Sequence, residues 1–357
     1  MARNRIPRTR RAFTLVELLV SMTILSLLSV MMLRMLSTSS DIWRRNRERT
    51  EAFQSARAGF ERMTRQLSQA TLDTYLDYYS SSNQSRTDWA RSGGDVVTQE
   101  FPADRYDWAS DLHFVMGDAT ELISAAEGET PTHAVFFVAP TGIVGPDSRE
   151  YRNLDRLLNA MGFYIEYIGD GSEIPPFLRG KVNERFRYRL IEMNQPSEEL
   201  KIYDDSFSKP YAWFNDAITP PDDSKPSTFI LADNVIALIL RPKVSTADAV
   251  SEVGDAVESS YSFDSKGYLN GGSHLVKNQL PPLVEVTMVT IDEISAARYE
   301  EQHGPGAPDF VPASLFRNPA NFENDLDQLK RRLSDLKLNY RVFTTDVSMR
   351  GAKTNLN

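Results

Sequence analysis

A single carboxylate lies inside a long apolar run near the start of the sequence. Glu17 follows Phe13-Thr14-Leu15-Val16 and precedes Leu18-Leu19-Val20. A carboxylate within a membrane is costly and therefore needs a partner. A cut between Ala12 and Phe13 would supply one, because the new α-amino group would be cationic near neutral pH. We therefore predict cleavage between Ala12 and Phe13, and pairing of Glu17 with an amine of its own chain or of a neighbouring chain during assembly.

The apolar run is long enough to cross a membrane. A helix over residues 13–36 would be roughly 36 Å long, against a hydrocarbon thickness of about 30 Å. Arg34 is close enough to the end of this run to extend its guanidinium to the interface. The side chains that we expect to face lipid or other helices are apolar, namely Leu18, Leu19, Val20, Ile24, Leu27, Leu28, Val30 and Leu33.

Charge predicts the orientation of this helix. Residues 1–12 form a basic leader with five arginines and no acid, whereas the whole chain has a net charge of −9. Because basic flanks stay on the cytoplasmic side, we expect a single-pass protein of the inner membrane with its leader cytoplasmic and its body periplasmic or otherwise extracytoplasmic. Without the leader, 35 basic residues face 49 acidic ones. This acidic body argues against a nucleic-acid partner.

The rest of the chain has no recognisable catalytic motif. The four histidines are far apart in sequence, and no HExxH, Walker A or GxSxG pattern occurs. The absence of cysteine excludes disulfides and thiolate zinc sites. The acid pairs Asp204-Asp205 and Asp222-Asp223 could bind calcium, but solvated turns are the favoured interpretation. We predict no catalytic residue, no metal site and no cofactor, and a protein that is not an enzyme.

The N-terminal segment resembles the signal of type IV pilins, pseudopilins and competence pilins. The matching residues are a small residue at Ala12, then Phe13-Thr14-Leu15-Val16-Glu17 and the apolar helix; most members have Gly where this chain has Ala12. The resemblance implies cleavage by prepilin peptidase and N-methylation of Phe13. It also implies packing against other pilin or pseudopilin helices, contact with membrane lipid and an inner-membrane assembly platform, and possible extraction into a filament.

Two other export signals compete with this interpretation. Thr9-Arg10-Arg11-Ala12-Phe13 also fits a twin-arginine signal, and the apolar run could be an uncleaved signal anchor. In either case the body would be an exported, membrane-tethered binding or enzymatic domain. Glu17, the length of the apolar run and the lack of a clear A-x-A site favour the pilin-like signal.

The body is predicted to be an α+β head. We expect the N-terminal helix to continue over residues 37–75 and to pack against an antiparallel β-sheet head in residues 76–357. Its apolar stripe recurs every three or four residues, at Phe53, Ala56, Phe60, Met63, Leu67 and Ala70. Residues 75–108 are predicted to be a long loop, residues 244–278 a mobile insertion and residues 322–336 an amphipathic helix. Strands are predicted at 112–115, 133–138, 162–168, 186–191, twice within 228–240, at 284–291 and at 340–349.

The head adds a weaker resemblance. A long helix followed by a strand-rich body looks like the large minor pilins, especially the J-type minor pseudopilin of type II secretion. The end of the chain, residues 340–352, resembles the prepilin-like Verru_Chthon cassette C family. The body is larger than a tight helical filament accommodates, so we expect a minor subunit in a tip or initiation complex of a type IV pilus or type II secretion pseudopilus.

Overall fold

The computed structural model describes residues 14–352 except 83, 95–99, 125, 127, 146–153, 155, 172–173, 183, 204–209, 222–224, 245–251, 270–275 and 305. The chain divides into two compact units between Glu51 and Ala52. We call the second unit, residues 52–357, the head. Helices make up 34% of the structure and strands 29%, and the strands form antiparallel sheets, which confirms the α+β prediction.

The described helices and strands follow each other in this order. The helices are α1 (Leu15–Leu67), α2 (Arg86–Arg91), α3 (Ala119–Leu122), α4 (Ala212–Ile218), α5 (Glu252–Glu258), α6 (Glu293–His303) and α7 (Phe322–Asp335). The strands are β1 (Tyr75–Tyr79), β2 (Arg105–Ala109), β3 (Val115–Asp118), β4 (His133–Pro140), β5 (Leu158–Gly169), β6 (Phe186–Gln195), β7 (Thr228–Asp233), β8 (Val235–Lys243), β9 (Phe263–Asp264), β10 (Leu283–Ile291) and β11 (Tyr340–Ser348).

The second half of α1 belongs to the core of the head. Ala56, Phe60, Met63 and Leu67 are buried at the predicted spacing. The helix ends at Leu67, however, and the expected end at residue 75 is wrong. Its last turn tightens, since Ala70 N donates to the Leu67 carbonyl, and Thr71 N then donates to the Val138 carbonyl at 2.9 Å. The helix ends here because the backbone at Thr71 pairs with strand β4 instead.

Two sheets form the remainder of the core. The six-stranded sheet has the order β7-β6-β5-β4-β3-β9, and the three-stranded sheet has the order β11-β10-β8. Strand β8 packs across β4 and its neighbours. There Leu238 N donates to Thr132 Oγ1 and Leu240 N donates to His133 Nδ1, both at 3.0 Å. Consecutive strands β7 and β8 thus belong to different sheets, with Asn234 between them in the left-handed region at φ 59°.

Three local expectations are wrong. Residues 75–108 do not form only a loop, because β1 and β2 pair as an antiparallel ribbon and α2 lies between them. The strand expected at 112–115 begins only at Val115. The described part of 244–278 is not a loose insertion, since Val257, Tyr261 and Phe263 are buried in the core. These residues carry enough apolar surface to hold the segment against the sheet.

Two of the alternating arginines of β6 are buried instead of facing solvent. Arg187 and Arg189 are 7% and 2% exposed. Arg187 pairs with Glu293 and Glu300 of α6, with nitrogen–oxygen distances of 3.0 and 2.6 Å. Arg189 pairs with Asp233 of β7 at 3.0 Å. Carboxylates from distant parts of the chain therefore allow these charges to be buried.

Candidate membrane and assembly segment

The described chain begins with a reciprocal cap on α1. Glu17 Oε2 accepts hydrogen bonds from Thr14 N and from Thr14 Oγ1, both at 3.0 Å. In return, Glu17 N donates to Thr14 Oγ1 at 3.3 Å. This Thr-x-x-Glu arrangement is a capping box, which satisfies backbone donors that a helix leaves unpaired at its start. The carboxylate also lies at the positive end of the helix dipole.

One described helical segment has the length and composition of a membrane span. Leu15–Ser40 covers 26 residues, and none of its most apolar window is buried within the structure. The eight side chains predicted to face lipid or other helices, Leu18, Leu19, Val20, Ile24, Leu27, Leu28, Val30 and Leu33, are between 48% and 67% exposed. A continuous apolar surface of this size needs lipid or other proteins to cover it.

Three hydroxyl side chains near the middle of this segment donate to its own backbone. Ser21 donates to the Leu18 carbonyl at 2.9 Å, Thr23 to the Val20 carbonyl at 2.8 Å and Ser26 to the Thr23 carbonyl at 2.9 Å. A hydroxyl without a partner would oppose burial in an apolar environment. These bonds remove that penalty, so the polar residues are compatible with a membrane span.

Thr14 is a capping residue that the sequence-based prediction did not single out. The prediction named Ala12, Phe13 and Glu17; Ala12 and Phe13 lie outside the described residues. Glu17 is described, and its partner is the Thr14 hydroxyl and backbone. The Thr-x-x-Glu spacing could have identified this pair from the sequence alone. The acid pairs Asp204-Asp205 and Asp222-Asp223, considered above as calcium ligands, also lie outside the described residues.

A buried His–Asp pair in the head is the feature closest to a catalytic arrangement. His113 Nε2 and Asp264 Oδ1 are 2.7 Å apart, and Trp213 Nε1 donates to His113 Nδ1 at 3.3 Å. Because an indole can only donate, His113 Nδ1 must accept, and His113 Nε2 donates to Asp264. Both ring nitrogens are therefore engaged, which leaves neither to activate a nucleophile.

Asp264 completes a local turn. Burial alone would raise its pKa, but hydrogen bonds from His113 and from the backbone N–H groups of Lys266 and Leu269 hold the pKa of Asp264 below its ordinary value. The carboxylate fixes the chain that follows β9 against the sheet. Among the described residues, no group of three or more His, Cys, Asp or Glu side chains could hold a metal ion.

Comparison with known proteins gave a family match in the N-terminal segment. Residues 7–33 match the family described as the prokaryotic N-terminal methylation motif. No curated protein and no solved structure gave a significant match. The matched segment contains the Thr14–Glu17 cap and the start of the membrane-length helix. The motif and the apolar N-terminal helix support a type IV pilin-like protein of the kind processed by prepilin peptidase, and the antiparallel α+β head is consistent with it.

Proposed function

We propose that this chain is a minor pilin or pseudopilin subunit that is cleaved after Ala12, methylated at Phe13 and assembled through its N-terminal helix. The observation that carries the proposal is the carboxylate of Glu17 in the first turn of a membrane-length helix. An isolated anchor gains nothing from this charge, whereas an assembling helix gains a specific partner.

The cap suggests how Glu17 acts during assembly. Both hydrogen bonds from Thr14 go to Oε2 of Glu17. They hold the carboxylate near the start of the helix, and Oε1 accepts a hydrogen bond from the Phe13 amine of a neighbouring subunit. Opposite charges attract more strongly in an apolar medium than in water, and each relieves the cost of burying the other. A charge pair of this kind also sets the axial register between neighbouring helices.

The size of the head favours a minor position. The head extends from Ala52 to Asn357, and its two stacked sheets form a single core. Subunits in the shaft of a filament are enclosed on all sides, while a subunit at the tip is not. We therefore assign the chain to a tip or initiation complex that assembles on an inner-membrane platform, with its apolar helix in lipid before extraction and its head on the extracytoplasmic side.

The N-terminal mass of the protein purified from host membranes tests the proposal. We expect the chain to begin at N-methyl-Phe13, and to retain residues 1–12 in a host that lacks prepilin peptidase. A chain that begins at Met1 in normal cells, or beyond Ser37, would contradict the proposal. Such a result would instead indicate an uncleaved anchor or an ordinary export signal carrying a tethered binding or enzymatic domain.

A further inference from the structure

A polar cleft opens in the head beside the β1–β2 ribbon. Its volume is about 570 Å³, and α2, the end of the ribbon and the segment after β9 line it. Its walls combine tyrosine rings with charged and amide side chains, which differs from the mostly apolar lining of a core defect. The described wall residues include four tyrosines, three cations and two acids.

Lys266 provides a partly desolvated cation in this cleft. Its Nζ donates to the backbone carbonyl of Ser110. An ammonium group has three N–H donors, so this contact uses one of them and holds the group in place. Burial lowers the pKa of Lys266, whereas the nearby Asp88 and Asp111 raise it and Lys277 and Arg91 lower it further. An anion in the cleft would stabilise the charged amine.

The cations that line the cleft outnumber the acids by one. Arg91 pairs with Asp111, with 2.9 Å between the guanidinium nitrogen and Oδ1. Lys277 Nζ lies 5.7 Å from the centroid of the Tyr79 ring. With Asp88, the cleft holds three cations and two acids, although the whole chain has a net charge of −9. A locally cationic cleft on an acidic protein favours a ligand that places one carboxylate inside the cleft.

The tyrosines supply the second element of recognition. Tyr203 and Tyr268 are 55% and 42% exposed, and both line the cleft. Tyr75 also lines the cleft, and its hydroxyl donates to Asp111 Oδ1 at 3.3 Å. A sugar ring presents C–H groups on its faces and hydroxyls around its edge, so exposed aromatic rings can pack on the faces while amide and charged groups bind the edge.

We propose that this cleft binds an acidic saccharide, with a sugar carboxylate against Lys266 and a sugar ring against Tyr203 or Tyr268. The cations select the carboxylate, and the exposed tyrosines select the ring. The site lies within the head and does not depend on how the N-terminal segment is processed. It gives a membrane-tethered head a means of contacting a uronic-acid-containing polysaccharide.

Calorimetric titration of the full-length chain in detergent micelles tests this assignment. The probes are a trimer of galacturonic acid, the neutral galactose trimer, and acetate. We expect the acidic trimer to bind at least about tenfold more tightly than either of the other two, which corresponds to about 1.4 kcal/mol. Equal binding of the two trimers, displacement of the acidic trimer by an equal concentration of acetate, or no heat from the acidic trimer would overturn the proposal.

Three variants locate the binding. Lys266→Met preserves the length of the side chain and should weaken binding of the acidic trimer by about tenfold or more. Tyr203→Ala should weaken both trimers, since it removes an exposed ring. Lys330→Met on α7 is the matched control and should change affinity by less than about twofold. Unchanged affinity in Lys266→Met, with the same unfolding midpoint as the parent protein, would exclude the cleft; if that variant is unstable, Lys277→Met provides the same comparison.

Discussion

The Arg62 guanidinium binds the Glu192 carboxylate through two hydrogen bonds, Nε to Oε2 at 2.8 Å and Nη2 to Oε1 at 2.9 Å. Gln66 Nε2 donates to the same Oε1 at 3.2 Å. The Glu192 side chain is 1% exposed and that of Arg62 is 44% exposed. The pair therefore connects α1 to strand β6, and it allows a carboxylate to be buried in the core of the head.

Removal of Arg62 should destabilise the head. Arg62→Met leaves the buried Glu192 carboxylate with only Gln66 as a partner, so we expect a loss of about 2 kcal/mol of unfolding free energy. Urea unfolding followed by circular dichroism measures it. The double variant Arg62→Met/Glu192→Leu removes both charges and should recover most of the loss. If the double variant were less stable than Arg62→Met, the unpaired carboxylate would not be the cause.

Two buried glycines should respond in opposite ways to alanine. A Cβ on Gly59 of α1 would lie 3.5 Å from the Ala232 Cβ, which is ordinary van der Waals contact. Because alanine favours helix, Gly59→Ala should raise the unfolding free energy by about 0.5–1 kcal/mol.

The opposite result is expected on β5. A Cβ on Gly162 would lie 2.2 Å from the Phe136 Cδ1, in a core that also contains the Phe214 ring stacked on Phe136 at 3.9 Å. Gly162→Ala should therefore lower the unfolding free energy by about 1–3 kcal/mol through overpacking. Thermal unfolding of the two variants side by side gives the comparison, and equal midpoints would contradict the packing of both sites.

His133 should make the stability of the head depend on pH. The pKa of His133 is lowered to about 4, mainly by burial and also by the nearby Arg317, while the nearby Asp118 raises it. The unfolded chain has an ordinary histidine with a pKa of about 6.5, so it binds a proton more readily than the native state. The contribution of neutral His133 to the unfolding free energy is therefore complete above about pH 6.5. It falls as the pH drops toward 4, by about 3 kcal/mol in total.

Urea unfolding at several pH values between about 4 and 6.5 measures the slope of the unfolding free energy against pH. His133→Gln should flatten it, because the replacement cannot titrate. His303→Gln changes an exposed histidine and should leave the slope unchanged. Asp264 and Asp170, whose pKa values are lowered in the native state, affect stability only at more acidic pH. A slope that persists in His133→Gln would assign the effect to another group.

Glu17 should be needed for assembly but not for cleavage. Glu17→Gln keeps the size of the side chain and its capacity to accept from Thr14, while removing the charge that would pair with the Phe13 amine. We expect this variant to begin at Phe13 by mass spectrometry, yet to be absent from sheared filaments or tip complexes in immunoblots. Thr14→Val removes the hydroxyl of the cap and should reduce incorporation less. Normal incorporation of Glu17→Gln would refute the charge pairing.

The parts of the fold that follow a short repeat were predictable from the sequence. The α1 stripe from Ala56 to Leu67 repeats every three or four residues, and α7 has the same signature with Phe322, Leu326, Leu329 and Leu333 buried. Most strands were located because their apolar residues form short, uninterrupted or alternating runs. The membrane segment was predictable from its apolar composition alone.

The parts that depend on distant partners were not predictable. Arg187 looks solvent-facing in sequence, and only Glu293 and Glu300 on α6 explain its burial. The β1–β2 ribbon contains both tyrosines and acids, and Asp77 is stabilised by the backbone N–H of Thr87, which is outside the strand. The cleft around Lys266 brings together residues from segments far apart in the chain. No local pattern contains these relationships.

The buried stripe of α1 determines how the head could be released as a water-soluble domain. A fragment that starts at residue 76 would lack Met63 and Leu67, which are completely buried, and would leave Glu192 without Arg62. Such a fragment would expose its sheet and aggregate. A fragment that starts at Ala52 keeps the whole compact unit. Release of a folded head by a protease would therefore require a cut on the N-terminal side of Ala52.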